Sequence, residues 1–124
     1  MSAPSLINFI LKRPWLKRAL TPVAAWWGNA AGYRQLGLRN DDLIPEESEI
    51  VQQALKRLPE KESYDRIFRI RRALQLSLQH QLLPKAEQTK PEEDYHYLSP
   101  IIRQIEVEIK ERNDLDSLKV NKRK

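Results

Sequence analysis

Apolar residues recur at helical spacing along most of this chain, and prolines or polar runs punctuate the repeats. The longest such stretch lies between residues 54 and 84, ALKRLPEKESYDRIFRIRRALQLSLQHQLLP. Pro59 suits the first turn of a helix, Glu60 and Glu62 follow at the positive end of its dipole, and no Gly or Pro occurs from Tyr64 to Leu83. The pattern predicts one helix of about six turns ending near Leu83. Tyr64, Ile67, Phe68, Ile70, Leu74, Leu78 and Leu82 share one side of it, the face expected to lie on a core. Arg66, Arg69 and Arg72 point the opposite way among Leu76 and Leu83, while Arg71 falls inside the apolar face. The mixed outer side reads as a surface packed against a partner, or else as arginine stems covering apolar neighbours with their heads in water.

Residues 5–31 form a basic, apolar arm. Leu6, Ile7, Ile10 and Leu11 have helical spacing, Pro14 interrupts, and Leu16, Ala19 and Leu20 resume it. The segment AGYRQLGLRNDDLIPEE follows, with Gly32 and Gly37 bracketing a short turn and Asn40, Asp41 and Asp42 offering caps. Glu46, Glu47 and Glu49 are expected in the first turn of a helix running to about Leu58, with Ile50, Val51, Ala54, Leu55 and Leu58 as its stripe. Residues 84–94 read as a polar linker in which Thr89 and Glu92 have capping-box spacing for a short helical turn through Tyr97. Ser99 and Pro100 then open a last helix with Ile101, Ile102, Ile105 and Ile109 on one stripe and Glu106–Lys110 and Glu108–Arg112 spaced as ion pairs. The tail VNKRK is expected to fray. Nothing alternates with period two. The expected fold is all-α: about four helices, with an extended basic N-terminal arm over residues 1–30 and a helical body over residues 31–124.

Charge sharpens this picture. Residues 1–39 carry Lys12, Arg13, Lys17, Arg18, Arg34 and Arg39 and no acid, whereas residues 40–64 hold seven acids against three bases. In the arm, Lys12, Arg13, Lys17 and Arg18 flank Trp15, and Trp26 and Trp27 follow. Tryptophan beside cations suits an interface with anionic lipid, and it equally suits docking on a protein partner; an acid-free, arginine-bearing N-terminus also has the character of a mitochondrial targeting segment. The longest apolar run, Val23 to Ala31, is broken by Gly28 and Asn29 and falls far below the ~20 residues of a membrane span. With 124 residues, 40 % of them hydrophobic, and a mean hydropathy of -0.67, the chain is short of core for its length, which points to support from partners.

Catalytic chemistry is not visible. There is no Cys, and the two histidines, His80 and His96, are separated by two prolines. No zinc-protease, phosphate-loop or nucleophile-elbow motif occurs. The carboxylates Asp41/Asp42 and Glu92/Glu93/Asp94 lie in turn-rich segments expected to be wet, where nothing raises a pKa toward general-acid work. Nucleic acid is not an expected partner: the sequence pI of about 9.6 and the aromatic residues favour it, but acids split the basic residues and no DNA- or RNA-binding motif appears.

The segments AGYRQLGLRNDDLI, ALKRLP, DRIFRIRRALQLSLQHQLLPK and EEDYHYL together resemble subunit 7 of mitochondrial ubiquinol–cytochrome c reductase, respiratory complex III, over about Ala31 to Leu118. Residues 1–30 agree more loosely, and Gln88 and Pro91 depart from the family's pattern. The resemblance implies a peripheral subunit on the matrix side of the inner membrane, bound to cytochrome b and the core proteins, without its own active site, haem or metal. It would support assembly and stability of a complex whose haem and iron–sulfur centres lie in other subunits. On that reading Lys12, Arg13, Trp15, Lys17, Arg18, Trp26, Trp27, Arg69 and Arg72 are the candidates for contact with partners or anionic phospholipid. Glu46 and Glu47, at a helix start that resembles the family's cytochrome-b-facing turn, are either proton carriers toward the inner quinone site or simple helix-start charges. The competing reading is a basic helical adaptor or RNA-binding protein of another assembly.

Overall fold

The computed structural model describes residues 7–119; Leu6 and the 120–124 tail lie outside the described residues. The order is α1 (Ile7–Leu11), α2 (Pro14–Ala30), 3-10 turns over Tyr33–Leu36 and Asn40–Leu43, α3 (Glu49–Arg57), α4 (Glu60–Leu78) and α5 (Ser99–Asp116). The described residues contain no strand, so the all-α expectation stands. The basic arm is itself helical. Within α2, Pro22 offers no N–H to the Arg18 carbonyl, and the Thr21 hydroxyl donates to the Lys17 carbonyl at 2.7 Å.

The apolar core is small and sits between α3 and α5. Val51, Ala54, Leu58, Tyr97, Leu98 and Ile105 are buried together, and Ile44, Ile50, Leu55, Ile101, Ile102 and Ile109 pack around them. These are the two stripes that the spacing of α3 and α5 predicts. Glu108 does not pair with Arg112 as its spacing predicts: Arg57 of α3 holds it with two N–H donations, at 2.9 and 2.7 Å, which ties the helices together at their exposed edge.

Burial on α4 is the reverse of what its pattern predicts. Arg66 and Arg69 are 3 % and 8 % exposed, and Ala73 is buried beside them; Tyr64, Phe68 and Leu78 are 67 %, 62 % and 75 % exposed. The buried guanidiniums are tolerated because the carboxylates of Asp42 and Glu46, the Asp41 carbonyl and a tyrosine meet them. Asp42 Oδ2 and Oδ1 accept from Arg69 Nε at 2.7 Å and Nη2 at 2.9 Å, the two-pronged geometry that suits a planar guanidinium. Arg66 Nη1 donates to the Asp41 carbonyl at 3.0 Å and to the Tyr97 hydroxyl at 2.8 Å, and Tyr97 in turn donates to Asp42. Asp42 also accepts from the Arg39 N–H at 2.9 Å, closing the first turn of its own 3-10 segment.

Asp41 has a different task. Its Oδ2 accepts from the N–H groups of Leu98 and Ser99 at 2.8 and 2.9 Å, and its Oδ1 from the Ser99 hydroxyl at 2.7 Å; His96 Nδ1 lies 2.8 Å from Oδ1. The α5 N-terminus is therefore capped by a carboxylate from 58 residues away in sequence, rather than by Ser99 acting alone. Asp41 and Asp42 are among the most enclosed groups of the fold and are not wet, contrary to the turn-rich expectation. Burial opposes their ionisation. It is outweighed at Asp42 by Arg69, Tyr97 and the Arg39 N–H, and at Asp41 by His96, Ser99 and Leu98, so both carboxyls are held below their ordinary value. Tyr97 moves the other way, pushed up to about 12 by burial and by Asp42.

The central helix also stops sooner than its composition suggests. His80 adopts φ 54°, its N–H reaches the Ser77 carbonyl, and the Gln81 N–H reaches the Leu76 carbonyl at 3.0 Å. That is the paired bonding of a Schellman stop, with histidine where glycine is commonest. Beyond it the chain crosses to the first 3-10 turn, with a turn of its own over 85–87: Leu83 is buried, with its N–H on the Gln35 carbonyl, and the Thr89 N–H sits on the Arg34 carbonyl. The Thr89–Glu92 box does not form. A turn over 91–93 is closed instead by Glu93, whose carboxylate accepts from the Lys90 N–H. Gln88 Nε2 donates to the Leu83 carbonyl at 2.9 Å, which fastens the segment where it departs from the family pattern. Gly37 lies under this crossing at φ 74°; a Cβ there would come within 2.2 Å of the Arg72 guanidinium and 2.7 Å of Leu83.

Two outcomes follow for the purified chain. Asp42→Asn leaves Arg69 buried without its counter-charge and should cost about 3–5 kcal/mol in denaturant unfolding at pH 7. Because the folded carboxyls of Asp41 and Asp42 titrate below the unfolded value of 3.8, their contribution is complete above that value and is lost as pH falls through the lower folded values. Stability should therefore drop steeply below about pH 4, and less steeply in Asp42→Asn. His80→Gly should raise the unfolding free energy by about 0.5–1 kcal/mol, since glycine meets no steric cost at positive φ; a lowered unfolding midpoint would contradict the helix stop described.

Candidate interaction surfaces

No residue of α2 is buried. At about 100° per residue, Trp15, Leu16, Ala19, Leu20, Val23, Trp26 and Trp27 occupy one broad arc, with Lys17 and Arg18 on the remaining side. Trp15, Trp26 and Trp27 are 64 %, 66 % and 70 % exposed. Lys12 and Arg13 sit in the α1–α2 joint, with the Arg13 guanidinium 4.5 Å above the Phe9 ring. Among the described residues, none of Lys12, Arg13, Lys17 or Arg18 is in an ion pair. An apolar aromatic arc with cations outside it is the arrangement of a helix that lies on an interface.

A cleft of about 540 Å³ separates the end of α2 from the body, lined by Trp27, Gly28, Tyr33, Arg34, Asp94 and His96 among others. Its charges are already satisfied. Asp94 Oδ2 accepts from the Tyr33 hydroxyl at 2.6 Å and from Arg34 Nε at 3.0 Å, and Oδ1 accepts from the Asn40 N–H at 2.8 Å. Arg34 Nη1 reaches back to Asn29 at 2.7 Å and so ties α2 to the body. Burial opposes ionisation of Asp94, but Tyr33, Asn40 and Arg34 overcome it and hold the carboxyl low, a state unsuited to proton donation near neutral pH. Among the described residues no group of three or more His, Cys, Asp or Glu side chains could hold a metal ion.

On α4 the sequence-predicted contact residues divide. Arg69 is enclosed and bound to Asp42, so it is an internal strut and not part of an outer face. Arg72 is half-buried, 5.2 Å from the Phe68 ring centre, with Nη2 3.5 Å from the Gly37 carbonyl. The free surface of α4 is the apolar one: Tyr64, Ile67, Phe68, Leu74 and Leu78 stand exposed, and Leu82 continues the face beyond the helix. The side expected to lie on a core is thus the exposed one, and the side expected to face outward carries the buried Arg66 and Arg69; Arg71 within the apolar stripe is the one sign of this in the sequence.

Glu46 and Glu47 lie in a turn ahead of α3, which begins at Glu49. They are not its first turn. Glu46 Oε1 accepts from Arg66 Nη2 at 2.9 Å and so belongs to the rim of the internal ion cluster, whereas Glu47 is exposed and has no hydrogen-bond or ion-pair partner among the described residues. No helix among the described residues is long and apolar enough to cross a membrane.

A small body with two uncovered apolar faces suits a subunit of a larger assembly, and known proteins agree. Residues 14–113 match the family described as the ubiquinol–cytochrome c reductase complex 14 kDa subunit. The chain is 62 % identical to cytochrome b-c1 complex subunit 7 of Neurospora crassa, over 98 % of this chain and 99 % of that one. It is 50 % identical to the mitochondrial subunit 7 of Saccharomyces cerevisiae, over 93 % and 91 % of the two chains, and 48 % identical to that of Pongo abelii, over 77 % and 85 %. This chain belongs to the 14 kDa subunit family of the mitochondrial ubiquinol–cytochrome c reductase complex, respiratory complex III, as an accessory subunit that takes no catalytic part in electron transport.

Proposed function

We propose that the chain sits on the matrix side of complex III against cytochrome b and the core proteins, where it supports assembly and stability of the complex. Electrons pass from ubiquinol to cytochrome c through haem and iron–sulfur centres of other subunits, and protons are translocated there. The observation that carries this reading is the mismatch between inside and outside. The buried set of the described chain holds only eight apolar residues, while α2 and α4 expose three tryptophans, a tyrosine, a phenylalanine and several aliphatic side chains. Such surface needs cover.

Residues 1–30 are the docking arm in this proposal, and residues 31–124 the subunit body. The arm lays Trp15, Trp26 and Trp27 against the membrane-embedded partner, while Lys12, Arg13, Lys17 and Arg18 meet anionic headgroups or acidic protein beside it. Glu47, free of the internal ion cluster that holds Glu46, is the better placed of the two to exchange protons with a neighbouring subunit.

Native electrophoresis of mildly solubilised membranes, with mass spectrometry of the band that carries this chain, tests the assignment. Co-migration with cytochrome b, cytochrome c1 and the core proteins is expected; a free low-mass species would contradict it and favour a basic adaptor or RNA-binding protein. Reversing Lys17 and Arg18 to Glu should lower incorporation several-fold, with the difference from the unsubstituted chain narrowing as ionic strength rises, because salt screens both the lost attraction and the new repulsion. Full incorporation of that variant would remove the arm from the account. Glu47→Gln should slow quinone reduction at the inner site and change its pH dependence, and an unchanged profile would end the proton role.

A further inference from the structure

We propose that the exposed face of α4 receives an apolar protein surface carrying a carboxylate, and that Arg71 is the group this carboxylate meets. The inference rests on the seat in complex III proposed above and names the chemistry of one neighbour there. Arg71 stands on the centre line of the face, with Ile67, Leu74 and Leu78 on one flank and Tyr64 and Phe68 on the other. It lines a shallow groove of about 470 Å³ together with Tyr64, Ile67, Phe68, Arg72 and Gln75. Arg66 and Arg69, one turn away, have carboxylate partners inside the chain; Arg71 has none within 4.0 Å among the described residues. At the groove's edge, Arg72 Nε is buried without an acceptor among them.

Whatever covers the apolar face takes the Arg71 head out of water, and an enclosed guanidinium is strongly unfavourable unless a counter-charge comes with the cover. That condition separates the candidate occupants. A lipid surface suits α2, whose cations lie outside its apolar arc where they can reach headgroups; α4 has its cation in the middle of the arc. A second copy of this chain laid face to face by a two-fold axis would set one Arg71 near the other, like charge against like. A protein surface with an acidic side chain amid apolar ones satisfies both requirements, the apolar contact and the charge.

The test uses the assembled complex from cells whose only copy of the chain carries the change. Arg71→Met keeps helix propensity and size and makes the face wholly apolar. If a carboxylate waits opposite, the substitution strands that carboxylate, and retention of the chain in the native complex should fall roughly tenfold, with Arg71→Lys intermediate. Retention of Arg71→Met at or above the unsubstituted level would overturn the proposal, since an apolar or lipid cover prefers methionine. A photo-crosslinking residue at the exposed Leu78 position should capture another polypeptide of the complex, and replacing the captured partner's nearby acid with Lys should rescue Arg71→Glu. Capture of lipid alone, or of a second copy of this chain, overturns the proposal independently. If the unsubstituted chain is absent from the complex, the functional reading fails; if it is present and Arg71→Met is retained equally, only the present inference fails.

Discussion

The fold depends on a buried ion cluster in which Asp42 holds Arg69, Tyr97 bridges Asp42 and Arg66, and Asp41 caps α5. Among the described residues four charged side chains share the interior with eight apolar ones, so much of the specificity of this small body is ionic. Such a cluster is a weak source of net stability but an exacting source of geometry, because each charge is tolerable only where its partner stands. It joins the second 3-10 turn and α4 to the segment before α5 and to α5 itself.

The cluster also determines what the molecule shows to its surroundings. By drawing Arg66 and Arg69 inward it turns Tyr64, Phe68, Leu74 and Leu78 outward, and α4 becomes a shelf instead of a core helix. Together with the uncovered α2, this leaves two apolar faces that the chain does not cover itself. The unusual interior and the exposed apolar surface have the same cause: the charged residues hold the body together, and the apolar residues of α4 stay outside it.

Much of this architecture is legible in the sequence. The stripes of α3 and α5 identify the apolar core, Pro14, Pro59 and Pro100 mark the starts of α2, α4 and α5, and Gly32 and Gly37 fall at the positive-φ positions that cap the first 3-10 turn. What periodicity does not contain is the partner of a charge. An arginine row reads as outward-facing unless the carboxylates that bind it are known to arrive, and Asp42 and Glu46 come from a segment 20–27 residues away that resembles an ordinary polar turn. The stop at Leu78 is hidden for a similar reason. His80 is not a helix breaker by composition, and it takes a positive φ where the following chain crosses to Gln35 and buries Leu83. The expected capping box and the Glu108–Arg112 pair fail because longer-range partners, Arg34 for the Thr89 N–H and Arg57 for Glu108, claim the same groups; nothing in the structure explains the missing Glu106–Lys110 pair.

Hydroxyl-radical footprinting of the chain, free and in the assembled complex, addresses the inversion of α4 most directly. The account predicts that Tyr64, Phe68 and Leu78 are labelled in the free chain and protected on assembly, while Tyr97 is protected in both states. Labelling of Tyr97 in the folded free chain, or equal labelling of Tyr64 and Phe68 in both states, would contradict an ionic interior with an apolar face reserved for partners.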